Sequence, residues 1–471
     1  MMLGQQISNY KNPAFSLIKK QGFYYLEVTY KMFFDNKNFM LRKEFFGGLL
    51  VDKRNLVRYE INQYDYVFLN EFLRSNSNIQ TVINNINNSL DIDYIPDINQ
   101  FLEIGVLIGE TDGMGMGEEL SPIEINHIDK NYLSYPIEIS IYPSLKCNLK
   151  CNFCFLGSKL NQNYNEKNAE EWFTLINDAV KSGCLSVSIL GGEPLLYFDI
   201  LNLLKMLENA KIRTSITSNG LCWKKCVLDF IKTSKYITPI FSIQSFSERN
   251  KEYMGKSHDM EKWKTTVYEI TKFKKIRINS VYLDQSIEEL KQIIDFGYNN
   301  NVEKFSLAYK YDVNSDWTSF KEIIYVQDCL EKYIESNNYE NFHFSVEGCM
   351  IYSVYEDLDG SVVNTPYQQL TYGCEAGNSR LEIVPNGDSY PCISFFEKDM
   401  SCGNVFESSL RNIWDSSTLL KELRNGKTTD EKCLSCTCNN FCNGGCPTIN
   451  LVRNGKMFGK GDPRCLLKQT N

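Results

Sequence analysis

The chain has 471 residues, 43% of them hydrophobic and 23% charged, so it carries enough apolar material for two or three domains with their own cores and is not a disordered chain. A net charge of -8 gives no general electrostatic support to a nucleic-acid or anionic-membrane partner. The N-terminal MMLGQQISNYK lacks a signal peptide's charged head and apolar stretch, and no apolar run nears the ~20 residues that span a bilayer. A cytoplasmic, reducing location is therefore expected, where seventeen cysteines point to thiolate metal ligation more than to disulfides.

From Phe23 to about Ile108 the chain carries short strand patterns, FYYLEVTY, FMLRKEFF, LLVD and LVRYEI, with Gly47 and Gly48 expected to form a turn. Three helical stretches follow, roughly Gln63 to Arg74, Ile79 to Leu90 and Asp97 to Ile104, with Asn62 as an N-cap and Gly105 as a stop. Strands followed by three short helices read as a small winged-helix domain. Residues 1–135 hold 12 Lys and Arg against 17 Asp and Glu, which disfavours DNA and leaves a peptide as the better partner.

Residues 137–310 alternate the strand patterns IEISIY, SVSIL, RTSIT, TPIFSIQ, RINSVYL and EKFSLAY with helical ones such as EEWFTLINDAVKSG and SIEELKQIIDFGYNN. Repeated β-α units call for a parallel sheet, here a six-unit partial barrel whose loops after the strands carry the chemistry. CNLKCNFC, with Cys147, Cys151 and Cys154, follows the first strand. Three thiolates leave a tetrahedral site unclosed, which points to a metal centre with a position for something else. A zinc knuckle completed from elsewhere and a chance cluster of surface thiols are the blander readings. Gly191-Gly192-Glu193-Pro194 follows the second strand: its glycines admit a ligand to the backbone, and Glu193 can pair with an amine. Ser218-Asn219-Gly220 ends the third strand, and Ser242 and Gln244 lie in the fourth, a polar rim that could equally be ordinary barrel polarity. His127, His258 and His343 are assigned no role.

The last third holds Cys374, Gly387 and Cys392, then Cys433-x2-Cys436-x5-Cys442-x3-Cys446, and Cys465. Zinc is the simpler candidate for the 433–446 stretch taken alone, because its spacing resembles a zinc ribbon. Cys184, Cys222, Cys226 and Cys329 fall outside every motif and read as buried small hydrophobes.

The C-x3-C-x2-C with an aromatic before its last cysteine, the Gly-Gly-Glu-Pro and the six β-α units together resemble the radical S-adenosylmethionine enzymes over about residues 137–310. The resemblance implies that Cys147, Cys151 and Cys154 hold a [4Fe-4S] cluster whose fourth iron takes the methionine amino and carboxylate groups of the cofactor. It further implies that Gly191, Gly192 and Glu193 hold the amino group, with Asn219, Ser242 and Gln244 near the ribose and methionine parts. Reductive cleavage of the sulfonium would give a 5'-deoxyadenosyl radical that takes hydrogen from unactivated carbon.

The C-terminal cysteines, over about residues 370–466, resemble the SPASM extension of these enzymes, which carries two auxiliary clusters. The resemblance gives Cys374, Cys392 and Cys446 to the first and Cys433, Cys436, Cys442 and Cys465 to the second. The first set is one thiolate short, so either Cys402, or less so Cys349 or Cys438, completes it, or one iron is open to a substrate thiolate. A winged-helix unit ahead of such an enzyme is similar to a RiPP recognition element, the module that binds the leader of a ribosomally made precursor peptide, with FFGGLLVD, LVRYEINQYDYVFLNEF and FLEIGVLI carrying the similarity.

The expected fold is therefore α/β: a partial (β/α)6 radical SAM barrel at 137–310, an N-terminal winged-helix recognition element at 1–110, a linker at 111–136, a bridging region at 311–371 and a SPASM domain at 372–471. The expected function is modification of a precursor peptide, with a cysteine sulfur-to-carbon thioether crosslink foremost and a carbon-carbon or carbon-oxygen crosslink next. Epimerisation and a sulfatase-maturase-like oxidation stay open. Expected cofactors are S-adenosylmethionine and three [4Fe-4S] clusters, and expected partners are the precursor peptide and a low-potential donor such as ferredoxin or flavodoxin. A cluster-bearing peptide-binding regulator without catalysis is the reading from another class.

Overall fold

The computed structural model describes residues 15–20, 23–28, 31–75, 79–110, 131–310, 320–348, 363 and 365–465. Most of the expected linker, and residues 311–319, 349–362 and 364 of the bridging region, lie outside them. The chain forms two compact units, Met1–Ser134 and Tyr135–Asn471.

In the first unit β1 (Phe15–Lys20), β2 (Phe23–Val28), β3 (Lys31–Phe34), β4 (Phe39–Glu44), β5 (Gly47–Asp52) and β6 (Arg58–Ile61) precede α1 (Gln63–Ser75), α2 (Ile79–Leu90), α3 (Ile98–Glu103) and β7 (Leu107–Glu110). β4, β5 and β6 form an antiparallel meander, while β1 pairs with β2 and β3 with β7. The helices close over the apolar face: Phe39, Leu50, Phe68, Val82, Ile86 and Phe101 make one core. Asn62 caps α1 by accepting from the amides of Tyr64 and Asp65, as its position predicts. The expected turn is corrected by two residues. Phe45 and Phe46 make it, and Gly47 and Gly48 open β5. Gly47 has φ +133°, and a Cβ there would meet the backbone where β6 runs into α1, 2.6 Å from Gln63 N, so a close approach of two chain segments demands the glycine.

The second unit runs β8 (Glu138–Ile141), α4 (Ala169–Lys181), β9 (Ser186–Ile189), α5 (Ile200–Asn209), β10 (Thr214–Ser218), α6 (Lys225–Thr233), β11 (Ile237–Ser242), α7 (Asn250–Met254), α8 (Met260–Thr271), β12 (Ile276–Tyr282), α9 (Ile287–Asn299), β13 (Val302–Tyr309), α10 (Phe320–Ser336) and β14 (His343–Glu347). It continues with α11 (Pro366–Tyr372), β15 (Arg380–Ile383), β16 (Asp388–Tyr390), α12 (Ile393–Glu397), β17 (Gly403–Asn404), α13 (Leu410–Ser416), α14 (Thr418–Asn425), α15 (Glu431–Leu434), α16 (Asn439–Cys442) and α17 (Pro447–Asn454).

All six expected barrel strands, β8 to β13, form, are parallel and stand in sequence order. The sheet does not stop at six. β14 joins β13 in parallel on one edge, and β15 joins β8 in parallel on the other, with Arg380 opposite Glu138 and Ile383 opposite Ile141. The cysteine-rich segment thus continues the barrel's own sheet.

Local sequence explains the connecting helices. α4 and α9 each open on a capping box, Asn168 with Glu171 and Ser286 with Glu289, which satisfies amides that the helix start leaves free. α4 then buries Ala169, Trp172, Ile176 and Ala179, one stripe at helical spacing, and packs beside α5. Strands such as β11 and β12 alternate buried and half-buried residues. Phe241 of β11 stacks on Trp223 and meets Trp263 edge-on, and burying one such side chain stabilises by about 2–3 kcal/mol. Parallel strands in one order bring the ends of β8, β9, β10 and β11 to the same edge.

Candidate active site

The loop between β8 and α4 is shaped largely by backbone contacts. Cys147 N donates to Asn161 Oδ1 at 2.9 Å, Asn161 N to Leu145 O at 3.0 Å, Asn152 N to Tyr253 O at 2.9 Å and Cys154 N to Cys151 O at 3.3 Å. Cys147, Cys151 and Cys154 are each half-buried. Burial pushes the Cys151 thiol up to about 12, helped by Cys154 and Cys147, and burial with smaller contributions from Glu193 and Cys154 raises Cys147. The three sulfurs are near enough to oppose one another's ionisation, a repulsion that a cationic iron cluster relieves. Among the described residues no three His, Cys, Asp or Glu converge as a single metal ion requires. A [4Fe-4S] cluster takes each thiolate on an iron of its own.

Gly191 and Gly192 have a role the sequence reading did not assign. A Cβ on Gly191 would strike Ser144 O, and one on Gly192 would lie 2.5 Å from Lys146 O and 2.7 Å from Leu145 O. Their loop therefore packs backbone to backbone on the cysteine loop, with Gly192 N donating to Ser144 O at 3.1 Å and Glu193 N to Lys146 O at 2.8 Å. Glu193 is fully buried. Its carboxylate accepts from Asn219 N at 2.8 Å, Ser218 Oγ at 2.9 Å and Leu195 N at 3.2 Å. Burial pushes it up to about 7 despite those bonds, and among the described residues the groups acting on it are these hydrogen-bond donors and no Lys or Arg. A buried carboxylate without a cation is chemically suited to an incoming ammonium group.

Asn219 donates to Asn148 Oδ1 at 2.8 Å and accepts from Leu221 N at 3.0 Å, which joins the third strand's loop to the cysteine loop. Ser242 ends β11, half-buried, with its carbonyl accepting from Trp263 Nε1. Gln244 lies two residues past the end of β11, not inside the strand. Its Oε1 accepts from Val281 N at 2.6 Å, so this side chain clamps β11 to β12. His258 is buried against Asn250, 3.0 Å from Nδ1 to Nδ2, and burial pushes it down to about 4, a packing role.

Cys222 is the residue missed by the sequence reading. Burial pushes its thiol up to about 11, with smaller contributions from Glu193, Lys262 and Cys147. The only hint in sequence is its place just after Ser218-Asn219-Gly220. Cys226 is exposed, against expectation, whereas Cys184 is buried and bonds Ile137 O and Ser186 O.

In the C-terminal segment Cys392 and Cys446 stand at the residue before α12 and α17, neither side chain bonding the helix start, while Cys374 follows α11 and its carbonyl accepts from Asn378. Gly373 lies against Phe441 O, which sets the Cys374 loop beside α16. Cys433 N bonds Asp430, Cys436 N bonds Cys433 O and Cys442 N bonds Cys438 O, turning the second set through one compact loop. Cys438 is buried; burial raises its thiol, and Cys436 and Cys465 add to this, so it stands with the second set. Cys402 is pushed up to about 12 by burial, with the Ser417 hydroxyl and Arg424 as its polar neighbours. Cys349 lies outside the described residues.

Residues 141–297 match the model of the Radical SAM superfamily, and residues 374–437 match SPASM, the iron-sulfur cluster-binding domain. The structure of Streptococcus suis SuiB bound to S-adenosylmethionine is similar, with a TM-score of 0.76 and 30% identity over 92% of this chain and 100% of that one. SuiB bound to its precursor peptide SuiA gives a TM-score of 0.77 at the same identity and coverage. The radical SAM cyclopropyl synthase TigE of Paramaledivibacter caminithermalis is 24% identical over 88% of this chain and 87% of its own length. The subtilosin biosynthesis protein AlbA of Bacillus subtilis is 22% identical over 72% of this chain and 73% of its own. The cofactors of the present chain are S-adenosylmethionine and [4Fe-4S] clusters, auxiliary ones among them. The chain belongs to the radical SAM superfamily, as an enzyme of the branch that carries a SPASM iron-sulfur domain.

Proposed function

We propose that this enzyme crosslinks a ribosomally synthesised precursor peptide by joining a cysteine sulfur to a carbon of another residue. The similarity to SuiB over its whole length, and to SuiB held with its precursor peptide, carries the peptide substrate. When bound, the cluster and cofactor supply hydrogen-atom abstraction from unactivated carbon. Cys147, Cys151 and Cys154 hold that cluster. Glu193 pairs with the cofactor's amino group while Gly191 and Gly192 hold the loop against the cysteines, and Asn219, Ser242 and Gln244 line or brace the remainder. Cys374, Cys392 and Cys446 serve one auxiliary cluster; Cys433, Cys436, Cys442 and Cys465 serve the other.

The sulfur acceptor is favoured by the count at the first auxiliary set. Cys402 directs its thiol to Ser417 and Arg424, and Cys438 stands by Cys436 and Cys465. An iron left open there would bind a substrate thiolate; the carbon gives one hydrogen atom to the 5'-deoxyadenosyl radical, the thiol proton goes to solvent, and the carbon-sulfur bond closes as an auxiliary cluster would take the remaining electron. Carbon-carbon bond formation is the second reading, favoured by the similarity to a cyclopropyl synthase.

Residues 1–110 act as a winged-helix recognition element. The meander β4-β5-β6 leaves edge strands on which a leader peptide could add by β-augmentation, and holding the leader raises the core peptide's effective concentration for the catalytic unit. A low-potential donor such as ferredoxin or flavodoxin supplies electrons. No helix among the described residues is long and apolar enough to cross a membrane.

Anaerobic co-expression with the precursor peptide, read by mass spectrometry before and after reduction and thiol alkylation, tests the reading. Loss of two hydrogens per crosslink with matching cysteines protected is expected. The same loss with every thiol alkylable would replace sulfur by carbon or oxygen, and an unmodified peptide despite cleavage of the cofactor would remove the peptide substrate.

A further inference from the structure

The segment Gly461-Asp462-Pro463-Arg464-Cys465 closes the cysteine-rich region with a buried ion pair. Asp462 and Arg464 have side-chain exposures of 0% and 3%, and Arg464 Nη2 donates to Asp462 Oδ2 at 2.8 Å. Arg464 Nε donates to Oδ1 at 3.0 Å and Arg464 N to the same oxygen at 2.9 Å. Burial of an ion pair costs desolvation, so stability alone is a weak reason for one here. What the carboxylate also holds is specific: Cys446 N donates to Asp462 Oδ2 at 3.0 Å. Asp462 N donates to Gly444 O at 2.8 Å, and Cys465 N donates to Asp462 O at 3.2 Å. One aspartate therefore ties Cys446 to Cys465, a cysteine from each auxiliary set, and sits at the N-terminal end of α17, where a negative charge is favoured.

The guanidinium reaches further. Arg464 Nη2 and Cys446 N donate to the same Asp462 oxygen, at 2.8 and 3.0 Å, so the guanidinium charge stands one carboxylate away from the Cys446 backbone. A cation beside a cluster thiolate stabilises the reduced, more negative state and raises the potential; removal of the cation lowers it.

We propose that Asp462 and Arg464 are positioning residues for the auxiliary cluster that Cys446 joins: the pair fixes Cys446 relative to Cys465 and sets that cluster's potential through the Arg464 charge. This rests on Cys446 being a cluster ligand. Its test uses the reconstituted full chain, with iron content and an anaerobic redox titration followed by electron paramagnetic resonance. Arg464→Gln should move one auxiliary couple to more negative potential, lowering its reduced-to-oxidised ratio about tenfold at fixed potential, which is 59 mV for one electron. The other couples should stay. Arg464→Lys keeps the charge and should restore most of the shift, and Asp462→Asn, which leaves the cation uncompensated, should move the same couple the opposite way.

Full iron content with no couple displaced in either the Arg464→Gln or the Asp462→Asn variant would overturn the proposal. So would displacement of the couple in the same direction by both, the mark of general damage. Should Arg464→Gln fail to fold, the sign of the Asp462→Asn shift decides, a negative or absent shift overturning the idea. Cys446→Ala separates the two levels. If that variant keeps every auxiliary signal, the ligand reading fails. If it loses one while the Arg464 and Asp462 variants shift nothing, only the positioning role fails.

Discussion

Asn219 donates from Nδ2 to Asn148 Oδ1 at 2.8 Å, a bond between the loop after the third barrel strand and the middle of the cysteine loop. The backbone amide of the same Asn219 donates to Glu193, so one residue braces both the cluster loop and the carboxylate suited to an ammonium. Asn219→Ala loses the first bond and leaves Asn148 without its donor. A penalty of about 1–2 kcal/mol corresponds to a five- to thirtyfold weaker cofactor affinity. Equilibrium binding of S-adenosylmethionine to the anaerobic holoprotein checks this, with iron content unchanged.

Glu193 gives a pH signature to the chain before cluster and cofactor are loaded. Its folded value, pushed up to about 7 by burial, lies above the ordinary carboxylate value of 4.5. The folded state therefore binds the proton more tightly than the unfolded one. That stabilisation is complete below about pH 4.5 and is lost as pH rises through about 7, a change on the order of 3 kcal/mol. Glu193→Gln removes this dependence. Denaturation of the apo chain between pH 5 and 7.5 should show wild type losing stability relative to the variant as pH rises, and parallel curves would refute the assignment.

Replacement of Cys147, Cys151 or Cys154 by Ala should remove about four iron atoms per chain and abolish reductive cleavage of the cofactor, while the auxiliary signals persist. Iron and sulfide analysis, with quantified 5'-deoxyadenosine, reads both effects. Retention of full iron by any one variant would exclude that cysteine.

Cys402→Ala should keep all auxiliary iron, because the thiol is directed to Ser417 and Arg424. A stability loss of about 1 kcal/mol, from a small buried group removed, is the expected cost. Loss of auxiliary iron in this variant would instead make Cys402 the fourth ligand and close the iron proposed to bind substrate sulfur.

Gly192→Ala tests the backbone contact between the two loops. A Cβ placed 2.5 Å from Lys146 O must push the cysteine loop away, at a cost of about 2–3 kcal/mol. Lower melting temperature together with weakened cofactor binding is the expected result.

The parts of this protein legible in its sequence are those written in contiguous residues. CNLKCNFC carries its ligand spacing within one loop, and the six barrel strands alternate with helices whose caps, such as Asn168 with Glu171, lie three residues apart. Gln244 shows the limit of that reading. Its type and place suited a cofactor contact, yet its amide oxygen is taken by Val281 N, thirty-seven residues on. Gly47 and Gly48 looked like a turn and instead open β5, with Gly47 answering to the junction of β6 and α1.

The sequence by itself determined the chemistry: which thiolates are available, in what local spacing, and on a repeating β-α frame that turns its loops to one edge. Tertiary structure alone decided which groups meet. Asn219 reached both Glu193 and Asn148, β14 and β15 widened the sheet, and Asp462 joined Cys446 to Cys465. The reason is physical. Ligand spacing and helix caps depend on neighbours a few residues away, whereas burial and charge proximity are properties of segments far apart in the chain that only packing brings together.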